Sequence, residues 1–162
     1  MKKIEIKQGD LGVVAKEIID TNLYMVLGTA DESGQPWVTP LYFACKEYRE
    51  FYWISSPEVR HSRNIVSRPK ISIVVFDSQA AVGPDQAVYM SAIAEELTGL
   101  DFDLGLDIYN GRFSNPSEHG VRAMQSQDVQ APALYRLYRA IAREHWVLVP
   151  VGEPDHRIPV TL

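Results

Sequence analysis

The chain has 162 residues, 46% of them apolar and 23% charged, with a formal charge of −5. That length and balance suit one domain over residues 1–162 with a real core, and exclude a disordered or fibrous chain. The acidic charge excludes a general basic field for nucleic acid or an anionic membrane surface, so any anion site has to be local.

The first seven residues alternate charge with apolar residues and carry no signal-peptide core, and no apolar run approaches the roughly 20 residues that span a bilayer. The one cysteine, Cys45, has no partner for an internal disulfide. These features predict a soluble, cytoplasmic protein.

In chain order, Leu11, Val14, Ala15, Ile18 and Ile19 recur at helical spacing and predict an opening helix over 10–20, with Asp10 as a cap. Leu23–Ala30 and Trp37–Cys45 are β-branched and aromatic runs joined by Asp31–Pro36, which predicts a hairpin. Phe51–Ser55 follows as a third strand. Ser56-Pro57-Glu58 carries helix-start chemistry, and Arg68-Pro69 ends that helix.

Ile71–Phe76 and Ala87–Leu97 read as two more strands, separated by the polar stretch 77–86. Glycines and Pro116 punctuate 99–128, where one or two short helices are expected, over 100–109 and 117–124. Ala133–Ile141 and His145–Val151 read as closing strands. Many short strands with few helices between them argue for a mainly β (α+β) small antiparallel barrel and against a doubly wound parallel sheet.

The segment Ser55 to Asn64 gathers two arginines, a histidine and three hydroxyls around a helix start. Cations there oppose the helix dipole unless an anion binds beside them, so Arg60 and His61 admit two readings: phosphate donors, or solvated charges on an ordinary helix. The aromatic strand Phe51-Tyr52-Trp53 immediately before them adds apolar rings at the same end of the barrel, as a flavin nucleotide requires, although other nucleotides could use similar chemistry.

Leu27-Gly28-Thr29-Ala30, Gly34-Gln35-Pro36-Trp37-Val38-Thr39-Pro40-Leu41, the Phe51–Asn64 strand and helix, and Arg68-Pro69-Lys70-Ile71-Ser72 together resemble the pyridoxamine 5'-phosphate oxidase-like family, over roughly residues 10–97. The resemblance rests on their order and spacing. It implies an FMN-binding split barrel, with the backbone of Val38, Thr39, Pro40 and Leu41 along the flavin ring. It further implies Ser55 and Ser56 at the phosphate end, Arg60 paired with the phosphate, and Gln86 holding the flavin from the next long strand.

His61 stands where the family commonly has lysine, and its partial charge makes phosphate binding weaker or pH dependent. Gln86 also reads as a simple turn residue. Glu144-His145-Trp146-Val147-Leu148 and Arg157 resemble the closing strands, but the substrate-binding His and Arg pattern of true pyridoxamine phosphate oxidases is not matched, so vitamin B6 chemistry is not expected.

Other chemistries lack their motifs. There is no Gly-x-Gly-x-x-Gly, Walker A loop or Gly-x-Ser-x-Gly elbow. The four histidines stand at no zinc spacing, so no metal is expected. Asp101, Asp103 and Asp107 read as the acidic start of a helix, and Cys45 as a buried structural thiol.

The resemblance implies an FMN-dependent oxidoreductase acting on a small molecule, in a homodimer with cofactor sites at the subunit interface. A deazaflavin (F420)-dependent reductase and a non-catalytic flavin- or haem-binding module are the alternatives.

Overall fold

A computed structural model describes residues 8–80, 87–112, 122–149 and 156–162. Helix α1 (Gln8–Thr21) buries Leu11, Ala15 and Ile19, spaced four apart on one face, against the sheet. At its C-terminal end the side chains of Thr21 and Asn22 donate to the carbonyls of Glu17 and Ile18, satisfying acceptors the last turn leaves free.

Strands β1 (Tyr24–Ala30) and β2 (Pro36–Tyr42) form the expected hairpin, in register from Tyr24 opposite Tyr42 to Ala30 opposite Pro36. Its turn is built on Asp31. The carboxylate accepts from the amides of Ser33 and Gln35, both at 3.0 Å, and Gly34 takes the positive φ of 89° the turn requires.

Strands β3 (Ala44–Lys46) and β4 (Glu50–Ser55) form a second hairpin. Helix α2 (Arg60–Ser67), strands β5 (Lys70–Phe76) and β6 (Ala87–Glu96), helix α3 (Phe102–Arg112) and strands β7 (Arg136–Val149) and β8 (His156–Val160) complete the described elements.

The strands form one antiparallel sheet of order β2-β1-β5-β6-β7-β4-β3, with β8 added on β7. Along one side β7 pairs with β6; along the other its first half pairs with β4 and its second half with β8. A bulge between Ser91 and Ala92 of β6, opposite Ala142–Glu144, lets the long strand bend through that change of partner. The sheet therefore curls into a split half-barrel with short flanking helices.

Met25, Leu27, Phe51, Trp53, Ile73, Val88, Met90 and Tyr138 fill the barrel and are covered by α1. A smaller cluster, Tyr52, Leu97, Phe102, Leu106 and Leu137, holds α3 on the outer face of β4 and β7. Gly105 permits that approach, because a Cβ there would lie 2.4 Å from Leu97 Cδ2 and 3.0 Å from the Tyr52 ring.

Four expectations about elements change. The run 37–45 is not one strand, because the chain turns at buried Phe43, leaves β1 and pairs with β4. The two expected closing strands, 133–141 and 145–151, are replaced by one strand, β7, continuous through the bulge over Arg136–Val149, with 150 and 151 outside the described residues. Helix α2 starts at Arg60, and Ser56-Pro57-Glu58 forms a turn in which Ser56 Oγ accepts from the Glu58 amide at 3.2 Å. Strand β8 is additional. In 99–128, a short 3-10 turn and α3 match the first expected helix, while most of 117–124 lies outside the described residues.

Candidate functional site

Strand β2 is one of the sheet's edges. Among the described residues it pairs with β1 alone, and Pro36 and Pro40 leave it without two of its amide donors, as suits an edge. Apolar residues are nevertheless exposed along it: Trp37 is 41% and Val38 65% accessible. Thr39 is half-buried, Pro40 is exposed, and Leu41 packs partly on the barrel core. At the far end the rings of Tyr24 and Tyr42 lie 4.1 Å apart. An exposed strand edge rich in aromatic and apolar groups marks a contact surface.

Helix α2 packs beside β1 and β2 and brings its N-terminus to this edge. The Arg60 guanidinium lies over the Trp37 ring, 4.8 Å from its centroid, and one of its nitrogens is 3.5 Å from Asp31 Oδ2. Val59, the cap residue, makes no side-chain capping bond, and the first turn contains no acidic residue. The amides there and the arginine together form a locally positive end facing the aromatic edge.

Inside this end, His61 and Ser55 are both buried, with His61 Nε2 and Ser55 Oγ 2.8 Å apart. Burial lowers the imidazole pKa below its ordinary 6.5, so His61 is neutral near neutrality. From the sequence, Arg60 and His61 look alike as cations opposing the dipole; in the fold only Arg60 is one. Ser56 sits half-buried at the turn before the helix. Asn64 donates to Thr29 Oγ1 at 3.0 Å and ties α2 to β1.

Arg60, Arg63, Asn64 and Ser67 on one face of α2 and Asp31–Ser33 on the hairpin turn enclose an open cleft of about 570 Å³. Of the site residues expected from the sequence, Arg60 lines this cleft; Ser55 and His61 lie buried against each other behind it, and Val38 to Leu41 run from Trp37 along β2 toward its far end. Gln86 lies outside the described residues. Trp37 and Asp31 were not singled out as site residues by sequence. An aromatic residue directly after an edge proline was the available signal for Trp37; nothing local signals a pairing of Asp31 with a residue 29 positions away.

Elsewhere, Cys45 is half-buried and its thiol is pushed up to about 12 by desolvation, which makes it a poor nucleophile. Among the described residues no group of three or more His, Cys, Asp or Glu side chains could hold a metal ion, and no helix is long and apolar enough to cross a membrane.

A curled antiparallel half-barrel, with a helix start aimed along a bare aromatic edge, defines the chain as a split-barrel protein. The sequence profile described as pyridoxamine 5'-phosphate oxidase matches residues 14–140, and the chain belongs to that family. No curated protein matches the sequence significantly.

Among solved structures it is similar to HutZ, the haem storage protein from Vibrio cholerae, with a TM-score of 0.63 and 19% identity over 83% of this chain and 90% of that one. It is also similar to a FAD-binding protein from Mesorhizobium loti, with a TM-score of 0.64 and 20% identity over 84% and 90% of the two chains. An F420 reductase gives a TM-score of 0.58 and 16% identity over 81% and 94%. The chain spans only 55% and 62% of two other similar chains. At these identities the likeness establishes the fold.

Proposed function

We propose that this chain binds a flavin cofactor, FMN or the deazaflavin F420, and acts as a flavin-dependent oxidoreductase on a small organic molecule. The observation that carries this reading is the meeting of the exposed edge of β2 with the uncapped, arginine-bearing start of α2. A flat aromatic ring system fits the first and an anionic tail fits the second. In this reading the backbone of Val38, Thr39, Pro40 and Leu41 borders the ring, while Ser55, Ser56 and Arg60 hold the phosphate end.

His61 acts through Ser55, fixing its hydroxyl, and Gln86 is assigned to the ring side. A bound flavin supplies hydride or electron transfer at its ring, and the protein supplies binding, orientation and exclusion of water. The exposed apolar edge also favours a second copy of the chain, so that a homodimer would cover the ring and complete each site. The domain over residues 1–162 would then be one flavin-binding unit.

The observation favouring the deazaflavin is the neutral His61. Standing where the family commonly has lysine, it adds no charge beside Arg60 and Arg63, so the phosphate end carries one cation fewer than that pattern. The first test is the visible spectrum of the purified protein with mass identification of whatever denaturation releases. The expected result is a bound or rebinding flavin whose affinity falls at least about tenfold in Arg60→Ala, through loss of a charge-assisted contact. A protein that ignores both cofactors, or an affinity unchanged in that variant, overturns the reading.

A further inference from the structure

Arg60 is only partly engaged. Its side chain is 40% accessible, Trp37 covers one face of the guanidinium, and a single carboxylate oxygen, Asp31 Oδ2, lies 3.5 Å from one nitrogen. A guanidinium offers five N–H donors in a planar fork, so most remain for another acceptor.

Asp31 is engaged differently at its two oxygens. Oδ1 accepts the Ser33 amide at 3.0 Å, the Ser33 hydroxyl at 2.6 Å and the Gln35 amide at 3.0 Å. These bonds, the Ser33 hydroxyl first, hold the carboxyl below its ordinary pKa, so it stays ionised. The turn thus fixes the carboxylate through one oxygen and leaves the other facing Arg60. On the helix side the first turn holds no acidic residue and no capping side chain, and Glu58, just before the cap, leans to Arg63 at 4.0 Å.

We infer that Asp31 is a specificity-determining residue of the anion site: its Oδ2 serves Arg60 as an internal counter-ion that the anionic group of a ligand must replace. Asp31 therefore sets a threshold. A neutral ring compound gains nothing at this end, a weakly charged group gains little over Asp31, and a phosphate gains because it can use the fork and the helix amides together. The inference rests on the flavin reading only for the identity of the anion.

Asp31→Asn separates the two roles of the side chain. Its amide oxygen can still accept from Ser33 and Gln35, so the turn persists, while the negative charge beside Arg60 is gone. The probes are FMN, riboflavin and inorganic pyrophosphate, followed by calorimetry, with an Arg60→Ala background as control.

The expected result is FMN and pyrophosphate affinity about two- to fivefold higher in Asp31→Asn, the range of an exposed ion pair. Riboflavin should not change, and the gain should vanish with Arg60→Ala. Pyrophosphate tightening without any flavin binding supports the inference and overturns the flavin reading. FMN binding that needs Arg60 but is unchanged or weaker in Asp31→Asn overturns the inference and leaves the flavin reading standing. Failure of both anions to bind overturns the inference.

Discussion

Arginine is used in opposite ways in two regions of this barrel. On the outer face of β4, β6 and β7, Arg139 is 15% accessible and is held by Glu95 at 2.6 Å, Asp101 at 3.1 Å and Glu50 at 3.6 Å, with Tyr52 donating to Glu50. At the start of α2, Arg60 has Trp37 on one face and one carboxylate at 3.5 Å. The first arginine is saturated by acids on two strands and on the 3-10 turn before α3, which the fold brings together; the second keeps donors in reserve beside an uncapped helix. Saturation distinguishes a structural arginine from one available to a ligand, and it is set by contacts between distant segments.

Exchanging the two roles is the most direct way to break the comparison. Arg139→Ala leaves three carboxylates without their common partner in a half-buried setting. It should cost about 1–3 kcal/mol of stability, below the range for fully buried pairs because the acids are partly solvated. Calorimetric or denaturant unfolding reads this directly, and flavin affinity measured below the transition should not move. Arg60→Ala should show the reverse: stability within about 0.5 kcal/mol of the parent and most of the anion affinity gone. A variant of Arg139 that unfolds like the parent would remove the contrast.

A second, smaller effect concerns His61, the residue next to Arg60 in the chain. Burial lowers the pKa of His61, and that of His145, where a bond to the Tyr48 carbonyl partly offsets it. The unfolded chain therefore takes up protons first as pH falls below about 6.5, and stability is lost from there down toward the folded values. Above that pH this contribution is fully present and flat. Urea unfolding between pH 5 and 7.5 should show the fall, and His61→Gln should make it shallower while leaving the share of His145. A pH profile unchanged by that variant would mean His61 titrates as an exposed group, and that Arg60 has a second cation beside it.

Much of this architecture is legible in the residues. The period of α1, the Asp31–Pro36 turn, the β5 and β6 runs and the Arg68-Pro69 stop all act locally, and each matches an observed element. What escaped depends on contacts between distant segments. Phe43 ends β2 because its neighbours change partner from β1 to β4, which an unbroken apolar run cannot reveal. Ala142-Arg143-Glu144 looks like a break between strands, yet a bulge carries β7 through it. At the site, Arg60 stands out by its position after a helix-start signal. Its counter-ion 29 residues away, and the burial of His61 against Ser55, exist only in the folded chain.

Arg63 supplies the finest test of the comparison, because it is a third grade of arginine. It lies one turn after Arg60, lines the same cleft, and among the described residues meets Glu58 at 4.0 Å, with both side chains largely exposed. A pair at that distance in water contributes little, so Arg63→Ala should shift unfolding by less than about 0.5 kcal/mol. If spare donors are what a ligand uses, position decides between the two arginines. Arg60 is oriented by Trp37 and Asp31 and so loses less side-chain freedom on binding, whereas Arg63 has to be ordered from solvent. Titration with FMN should accordingly show a smaller loss for Arg63→Ala than for Arg60→Ala. Equal losses would mean the anion lies deeper in the cleft, between the two side chains, and that the ring on Trp37 steers Arg60 without selecting it.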